Sequence, residues 1–339
     1  MTTGRTVQQE RLTNIVRRFA RRRILVIGDA IADQFVYGGI SRVSREAPVF
    51  ILRHEQTETV PGGAANCAMN LVSLGASVSL IGVAGKDAAG RALIEKLEKA
   101  GVDCSGVVVS EELQTTTKVR ILAGQLHSTR QQVIRLDYDG STLNEPLLEQ
   151  LHGSMREFAK TAEAVIISDY NYGVANSATA QVVRDSTTSR GIPVLVDSRF
   201  RLMNFPGFAS ATPNEDEVEQ LLGKQLADIS ELESAGEQMR ERLGYRALLI
   251  TRGSHGMVLF EDGVAPLHID AVGAREAVDV TGAGDTVIAT YALGIASDSS
   301  FSDAARLANY AGGLVVMKRG TASVTSEELE HRILESEHR

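Results

Sequence analysis

The stretch VSLIGVAGKDAAGRALIEKLEKAG, residues 78–101, decides how the rest of the chain is read. It opens on a short apolar run ending in glycine, the mark of a strand buried on both faces. It continues as a helical pattern closed by Gly101, just past the helix end where a left-handed conformation is needed. The same strand-then-helix alternation recurs along the chain. RILVIGD (23–29), AVIISD (164–169), IPVLVDS (192–198) and ALLITRG (247–253) read as further buried strands. GAANCAMNLVSLG, NSATAQVVRDSTTSRG and ISELESAGEQMRERLG read as helices between them. Buried strands separated by helices imply right-handed crossovers and a mainly parallel sheet covered on both faces. The expected fold class is therefore α/β, a three-layer sandwich, and residues 1–339 are expected to form a single domain.

Two segments break this rhythm. Residues 34–60 and 113–138 are rich in β-branched residues and alternate apolar with polar, as in TKVRIL and QVIRLD. They are expected to form a small antiparallel β lid. The ligand crevice of an open α/β sheet lies outside the carboxyl ends of its strands, so insertions after those ends are placed to cover it. An exposed edge of such a lid is a natural place for two chains to pair, and a homodimer is expected there.

Composition narrows the function. The 339 residues are 43% hydrophobic and 23% charged, enough to bury a large core, and the formal charge of −8 argues against a nucleic-acid footprint. Cys67 and Cys104 are too few for a disulfide framework and have no metal-ligand spacing, which fits a reducing, cytoplasmic setting. No apolar run is long enough to span a bilayer, so no membrane partner is expected. Leu12, Ile15, Val16 and Phe19 recur at helical spacing, so the arginine-rich start reads as an amphipathic helix packed on the body.

The chemistry concentrates in DVTGAGDT, residues 279–286, directly ahead of the apolar VIATYALGIA. Its glycines let main-chain amides approach a ligand, and the following helix adds unpaired N–H groups and the positive end of its dipole. Amides around Gly282, Ala283 and Gly284 would form an anion hole with Asp285 beside it, an acid suited to take a proton from an attacking hydroxyl. The competing interpretation is a plain glycine turn with an acidic first helical turn. In ATPNEDEVEQLLG, Thr212 reads as N-cap, Pro213 as the first helical residue and Glu215 as capping-box partner. That leaves Asn214 and Glu217 on one side of the helix, able to meet Mg²⁺-bound water and nucleotide phosphate. Asp33 in GDAIAD and Asn66 in PGGAAN are short polar groups suited to sugar hydroxyls, with Gly62 and Gly63 permitting close approach. TRGSHG (251–256) is a glycine turn that either holds phosphate or merely reverses the chain. Only Gly28 of a dinucleotide fingerprint follows the first strand, and a Walker A sequence is absent.

Taken in order, GDAIAD, PGGAAN, GVAGKDAAG, TPNEDE, TRGSHG and DVTGAGDT resemble the ribokinase-like (PfkB-type) sugar kinases over about residues 22–330. More narrowly, SRVSREAPVF, TTTKVRIL, QQVIRLD, SDYNYG and KRGTASVT resemble the D-glycero-β-D-manno-heptose-7-phosphate kinase branch. The resemblance implies Asp285 as catalytic base and the Gly282–Gly284 amides as anion hole. It implies Asp33, Gly62, Gly63, Asn66 and Asp169 at the sugar, and Asn214, Thr251, Gly253, Gly256 and Asn309 near ATP. It implies Glu217 organising Mg²⁺, with Asp279 and Thr281 supporting a monovalent-cation site such as K⁺. Lys118, Arg120, Arg42 and Arg135, in or beside the lid, become candidates for a substrate phosphate. The chain departs from the branch at Tyr172, where a lysine is usual, and at Ser198–Arg199, where Pro-Lys is usual. No H-x-G-H segment follows the kinase region, so adenylylation of the product is expected of another chain. The alternatives are a kinase for another sugar or nucleoside, and a catalytically silent sugar- or nucleotide-binding regulator, which would have no need of Asp285.

Overall fold

A computed structural model describes residues 6–124, 130–273 and 277–335. Its strands are β1 (Arg23–Gly28), β2 (Ala30–Val43), β3 (Phe50–Gly63), β4 (Ser77–Gly85), β5 (Asp103–Ser110), β6 (Thr117–Gly124), β7 (Gln131–Tyr138), β8 (Ala164–Asp169), β9 (Val194–Ser198), β10 (Ser210–Ala211), β11 (Ala247–Thr251), β12 (Met257–Glu261) and β13 (Val264–Ile269). Its helices are α1 (Val7–Arg17), α2 (Ala64–Ser73), α3 (Ala88–Ala100), α4 (Glu145–Ala159), α5 (Ser177–Thr187), α6 (Glu215–Leu222), α7 (Ile229–Leu243), α8 (Ala283–Ala296), α9 (Phe301–Val315) and α10 (Ser326–Glu335).

A nine-stranded sheet runs in the order β13-β12-β11-β10-β9-β8-β1-β4-β5, parallel from β11 through β5 and antiparallel at β12 and β13. The period-2 pleat explains the continuous apolar runs. Ile24 and Val26 of β1 join the core beneath α2, α8 and α9, while Leu25 and Ile27 join the opposite core against α4, α5 and α7. Helix α8 is buried on nearly every side from Asp285 to Gly294, which is why its sequence is apolar without an amphipathic stripe. The expected N-terminal helix is α1, with Leu12, Ile15 and Val16 buried along it and Phe19 buried two residues past its end.

The lid is a second sheet of order β3-β2-β6-β7. The β2–β3 and β6–β7 hairpins are antiparallel, as the alternation predicts, but they join through a parallel pairing of β2 with β6. The lid strands also reach deeper than the sequence bounds suggest: β2 starts at Ala30, two residues after β1 ends, and β3 runs on to Gly63. Lid and sheet thus share the buried root Ala30–Asp33, and the crevice opens beside it.

Candidate active site

The strand ends, the lid root and the start of α8 enclose a cavity of about 390 Å³. Gly282 caps α8 in the left-handed region, φ +76°, and a Cβ there would come within 2.6 Å of Asn66 Nδ2. Only glycine lets this turn and Asn66 coexist. The amide of Ala283 turns back to the Val280 carbonyl at 3.2 Å. The anion hole therefore narrows to the N–H groups of Gly282, Gly284 and Asp285, which have no backbone acceptor among the described residues. Gly284 lines the cavity, and a Cβ there would meet only open space.

Asp285 is 3% exposed. Its Oδ2 accepts from Asn66 Nδ2 at 2.7 Å and its Oδ1 from the Tyr170 hydroxyl at 3.0 Å. Burial lifts its carboxyl to about 6, and the two donors hold it from rising further. A base of that strength is ionised at neutral pH yet strong enough to take a hydroxyl proton in a transition state.

On the opposite wall, the reading of TPNEDE needs correction. The N-cap of α6 is Asn214, whose side chain accepts from the Glu217 amide at 2.8 Å, while Glu217 reaches back to the Asn214 amide at 2.9 Å. Asn214 and Glu217 are themselves the capping box, and Glu215 instead binds Arg252 at 3.1 Å. Pro213 sits two places too early to be the first helical residue, so the cap moves two residues along. Glu217 still lines the cavity, its carboxyl lifted to about 6 by burial against the Asn214 amide bond. Beside it Asp197, at the end of β9, accepts no hydrogen bond from any described residue. Burial and the facing carboxylates of Glu217 and Asp285 push its carboxyl well above the ordinary range. No cluster of three or more metal-ligating side chains occurs among the described residues, so these acids form no closed metal cage; carboxylates crowded at a cavity wall are suited instead to the water shell of a divalent cation carried in by a nucleotide.

The cations divide into two kinds. Arg120 pairs with Asp33, and Arg135 with Asp137 at 2.6 Å. Lys118 and Arg199 line the same cavity without an ion pair among the described residues. The Lys118 ammonium lies 5.8 Å from the ring centres of both Tyr170 and Tyr172, and burial pulls it below the ordinary lysine range against the attraction of Asp33.

Of the residues singled out from sequence, Asp33, Gly62, Gly63, Asn66, Lys118, Arg120, Arg135, Asp169, Asn214, Glu217, Thr251, Thr281 and Gly282 to Asp285 all line this cavity. Asp169 does so with its carboxylate already engaged by Arg201, by Ser198 Oγ at 2.7 Å and by the Asn171 amide at 3.0 Å. Five others lie outside the lining. Asn309 is buried and donates to the Asp270 carbonyl at 2.8 Å. Gly253 and Gly256 form the reversal into β12, where Arg252 N–H meets the Gly256 carbonyl at 2.8 Å. Asp279 accepts from the Thr281 and Gly320 amides at 2.9 and 3.0 Å; burial would raise its carboxyl, but these bonds hold it low. Arg42 is on the exposed outer end of β2. The sequence reading missed Tyr170, Asp197, Arg199 and Thr321 as cavity residues. Tyr170, Asp197 and Arg199 lie at or just past the ends of β8 and β9. The rule that ligands bind beyond strand carboxyl ends, applied to every strand, would have found them.

A glycine turn with unpaired amides, a buried carboxylate of raised pKa and an acidic wall around one cavity are the parts a phosphotransferase acting on an alcohol uses. Residues 21–328 match the pattern of the pfkB family carbohydrate kinases, and the chain belongs to that family. It is an ATP-dependent carbohydrate kinase. It is 41% identical over 321 residues to the bifunctional protein HldE of Edwardsiella ictaluri and 40% identical over 324 residues to that of Ectopseudomonas mendocina. These alignments cover 93% and 94% of this chain, and it spans 64% and 65% of the length of those relatives. Its fold matches that of Arabidopsis thaliana ribokinase complexed with ribose and ATP, with a TM-score of 0.72 and 22% identity over 94% of this chain and 100% of that one. It also matches Escherichia coli phosphofructokinase-2 in complex with potassium, with a TM-score of 0.77 and 19% identity over 92% of this chain and 98% of that one.

Proposed function

We propose that this kinase transfers the terminal phosphoryl group of ATP to the anomeric hydroxyl of D-glycero-β-D-manno-heptose 7-phosphate. The observation that carries the substrate class is Lys118: a half-buried ammonium over two tyrosine rings, without a carboxylate partner among the described residues, in the cavity that holds the base. An unpaired cation in a partly desolvated site is best satisfied by an anion arriving with the ligand, and Arg199 offers a second charge. An unphosphorylated sugar would leave both unanswered. The likeness to HldE over nearly the whole chain supports the heptose.

In this reading Asp33 and Asn66 meet the sugar, and Asp285 accepts the proton of the attacking hydroxyl as the phosphoryl group passes in line. The Gly284 and Asp285 amides receive charge on the migrating group. Asn214 and Thr251 border the nucleotide, and Glu217 orients the water around Mg²⁺, which supplies charge neutralisation on the phosphate oxygens. Asp279 braces the turn before α8 and, with Thr281, is the place for a monovalent cation like the potassium of the phosphofructokinase-2 complex. The outer lid, exposed along all of β7, pairs two chains.

A second reading, a different sugar phosphate, draws on Tyr172 and Arg199, which replace the usual lysine and Pro-Lys of the heptose branch. A panel of sugars and sugar phosphates assayed for ADP release, on wild type and on Lys118→Ala, tests both. Heptose 7-phosphate should be the fastest substrate, and Lys118→Ala should raise its KM about 10- to 100-fold with the KM for ATP unchanged. Preference for an unphosphorylated sugar, or an unmoved KM in the variant, would remove the substrate assignment.

A further inference from the structure

Tyr170, whose ring lies near Lys118, is tied to Asp285 through its hydroxyl on one side and to Asp29, just past the first strand, through its amide on the other. We propose that Tyr170 is a positioning residue: its hydroxyl, on a loop clamped by the buried Asp29 carboxylate, fixes the Asp285 carboxylate in the orientation that receives the acceptor proton. The proposal rests on the reading of Asp285 as base.

Held by Asn66 alone, the Asp285 carboxylate could rotate about Cβ–Cγ. With Oδ2 on Asn66 at 2.7 Å and Oδ1 on Tyr170 at 3.0 Å, its plane is set and the lone pairs left over face the cavity. Asn66 is secured in turn, since Asn70 Nδ2 donates to its carbonyl at 3.0 Å and Asn70 Oδ1 accepts from Thr286 Oγ1 at 2.8 Å. The other arm depends on Asp29, 2% exposed and without an ion pair among the described residues. Its Oδ2 accepts the amides of Tyr170 and Tyr172 at 2.9 and 3.0 Å, and its Oδ1 the amide of Val174 at 3.1 Å. A carboxylate that far from water is held by these donors, and the loop is held by it. Asn171, between the two tyrosines, takes φ +68°, and its amide is bound by Asp169. Three consecutive residues of this loop are therefore pinned by two buried acids, and strain at Asn171 is tolerated because the clamp dictates it. The geometry also joins two functions, since the ring whose hydroxyl meets the base lies under the Lys118 ammonium.

The charged and titratable groups facing Asp285 are Asp33 from β2, Cys67 from α2, and Asp197 and Arg199 from the end of β9. Removing the phenol donor leaves burial and Asp33 acting against the ionised form. The carboxyl then rises, and activity is lost at a higher pH on the acidic side.

The test is Tyr170→Phe in the full chain, with heptose 7-phosphate and ATP·Mg²⁺. Expected are a kcat about 10-fold lower, an acidic limb displaced upward by about one pH unit and an unchanged KM for ATP. The infrared carboxyl band of Asp285, identified by difference from Asp285→Asn, should titrate higher by a similar amount without substrate. Asp29→Asn, which removes one charged acceptor from the clamp, should move both readouts in the same direction. An unmoved limb and band in Tyr170→Phe, with Asp285→Asn inactive, overturns the positioning role and leaves the base standing. A band that moves while kcat does not also overturns it. If Asp285→Asn retains turnover, the base reading falls and this proposal with it.

Discussion

At the start of α8, Asp285 is nearly inaccessible and each carboxylate oxygen is held by a donor from a different element, Asn66 on α2 and Tyr170 after β8. On β7 of the lid every residue from Gln131 to Tyr138 is exposed, and Arg135 binds Asp137 two positions along its own strand. The floor is fixed by many elements at once, the outer lid by itself. The groups that must be accurate to a fraction of an ångström when a phosphoryl group moves stand where the core pre-sets them, at no cost in reorganisation. Lys118, which we propose meets the substrate phosphate, stands between these extremes on β6 beside the lid root, where burial is partial and partners are aromatic. Breaking the floor should therefore stop chemistry, whereas altering the outer lid should change association and leave chemistry largely in place.

The largest effect is expected from Asp285→Asn. Turnover should fall at least ~100-fold while nucleotide binding persists, and turnover within ~3-fold of wild type would end the case for a base on the floor. In the wild-type enzyme, activity should decline as pH falls through about 6, where burial places this carboxyl. The stability sign is opposite to that of most acids. Because the folded value lies above the unfolded one, the ionised carboxylate opposes folding above about pH 6, and that opposition is relieved as pH drops from there toward the unfolded value. Asp285→Asn should accordingly melt about 1–3 °C higher than wild type at neutral pH, with the gap closing near pH 4 in a calorimetric series.

A smaller effect separates two roles at one residue. Glu217 is both the capping partner of Asn214 and an acid lining the cavity, where we propose it orients water around Mg²⁺. Glutamine at this position preserves the capping box, since an amide oxygen also accepts the N-cap amide, but removes the charge. Glu217→Gln should leave the melting temperature within about 1 °C and raise the Mg²⁺ concentration for half-maximal rate roughly 10-fold. A variant that loses stability with an unchanged Mg²⁺ requirement would reduce Glu217 to a cap, leaving Asp197 to set the field of that wall.

What was legible in the sequence follows the same division. β1, β4, β8 and the cap of α8 are local: a β-branched run buried on both faces, or a glycine at positive φ before a buried helix, is written in consecutive residues. The α6 cap was misplaced because Thr212, Asn214, Glu215 and Glu217 offer two overlapping capping boxes. The choice between them was made by Arg252, which takes Glu215, and by the bridge of Asn214 to Thr251, both distant in sequence. Tyr170 and Asp197 gave no signal because a tyrosine or an aspartate at a strand end is ordinary until a helix distant in sequence brings Asp285 or Glu217 to its side. Asn309 carried a nucleotide role from resemblance, but its amide is turned to the Asp270 carbonyl, which no local pattern foretells.

The smallest effect on chemistry is expected at the lid edge. Ile134, Leu136 and Tyr138 on β7 are 49%, 43% and 45% exposed, and β7 ends the sheet with one side unpaired. Long apolar edges of this kind are usually blunted by charge or covered by another chain. Here the strand's own arginine is neutralised by Asp137, so charge offers little protection. Ile134→Arg places an unpaired cation in the middle of that edge, cross-strand from Ile121. It should convert a dimer to a monomer on gel filtration while kcat changes less than ~3-fold, because neither Asp285 nor its two donors touch β7. A wild-type chain that elutes as a monomer would remove the pairing. A turnover loss in Ile134→Arg as deep as that of Asp285→Asn would erase the contrast between floor and lid, since it would mean the base is held in place only when a second chain closes the lid above it.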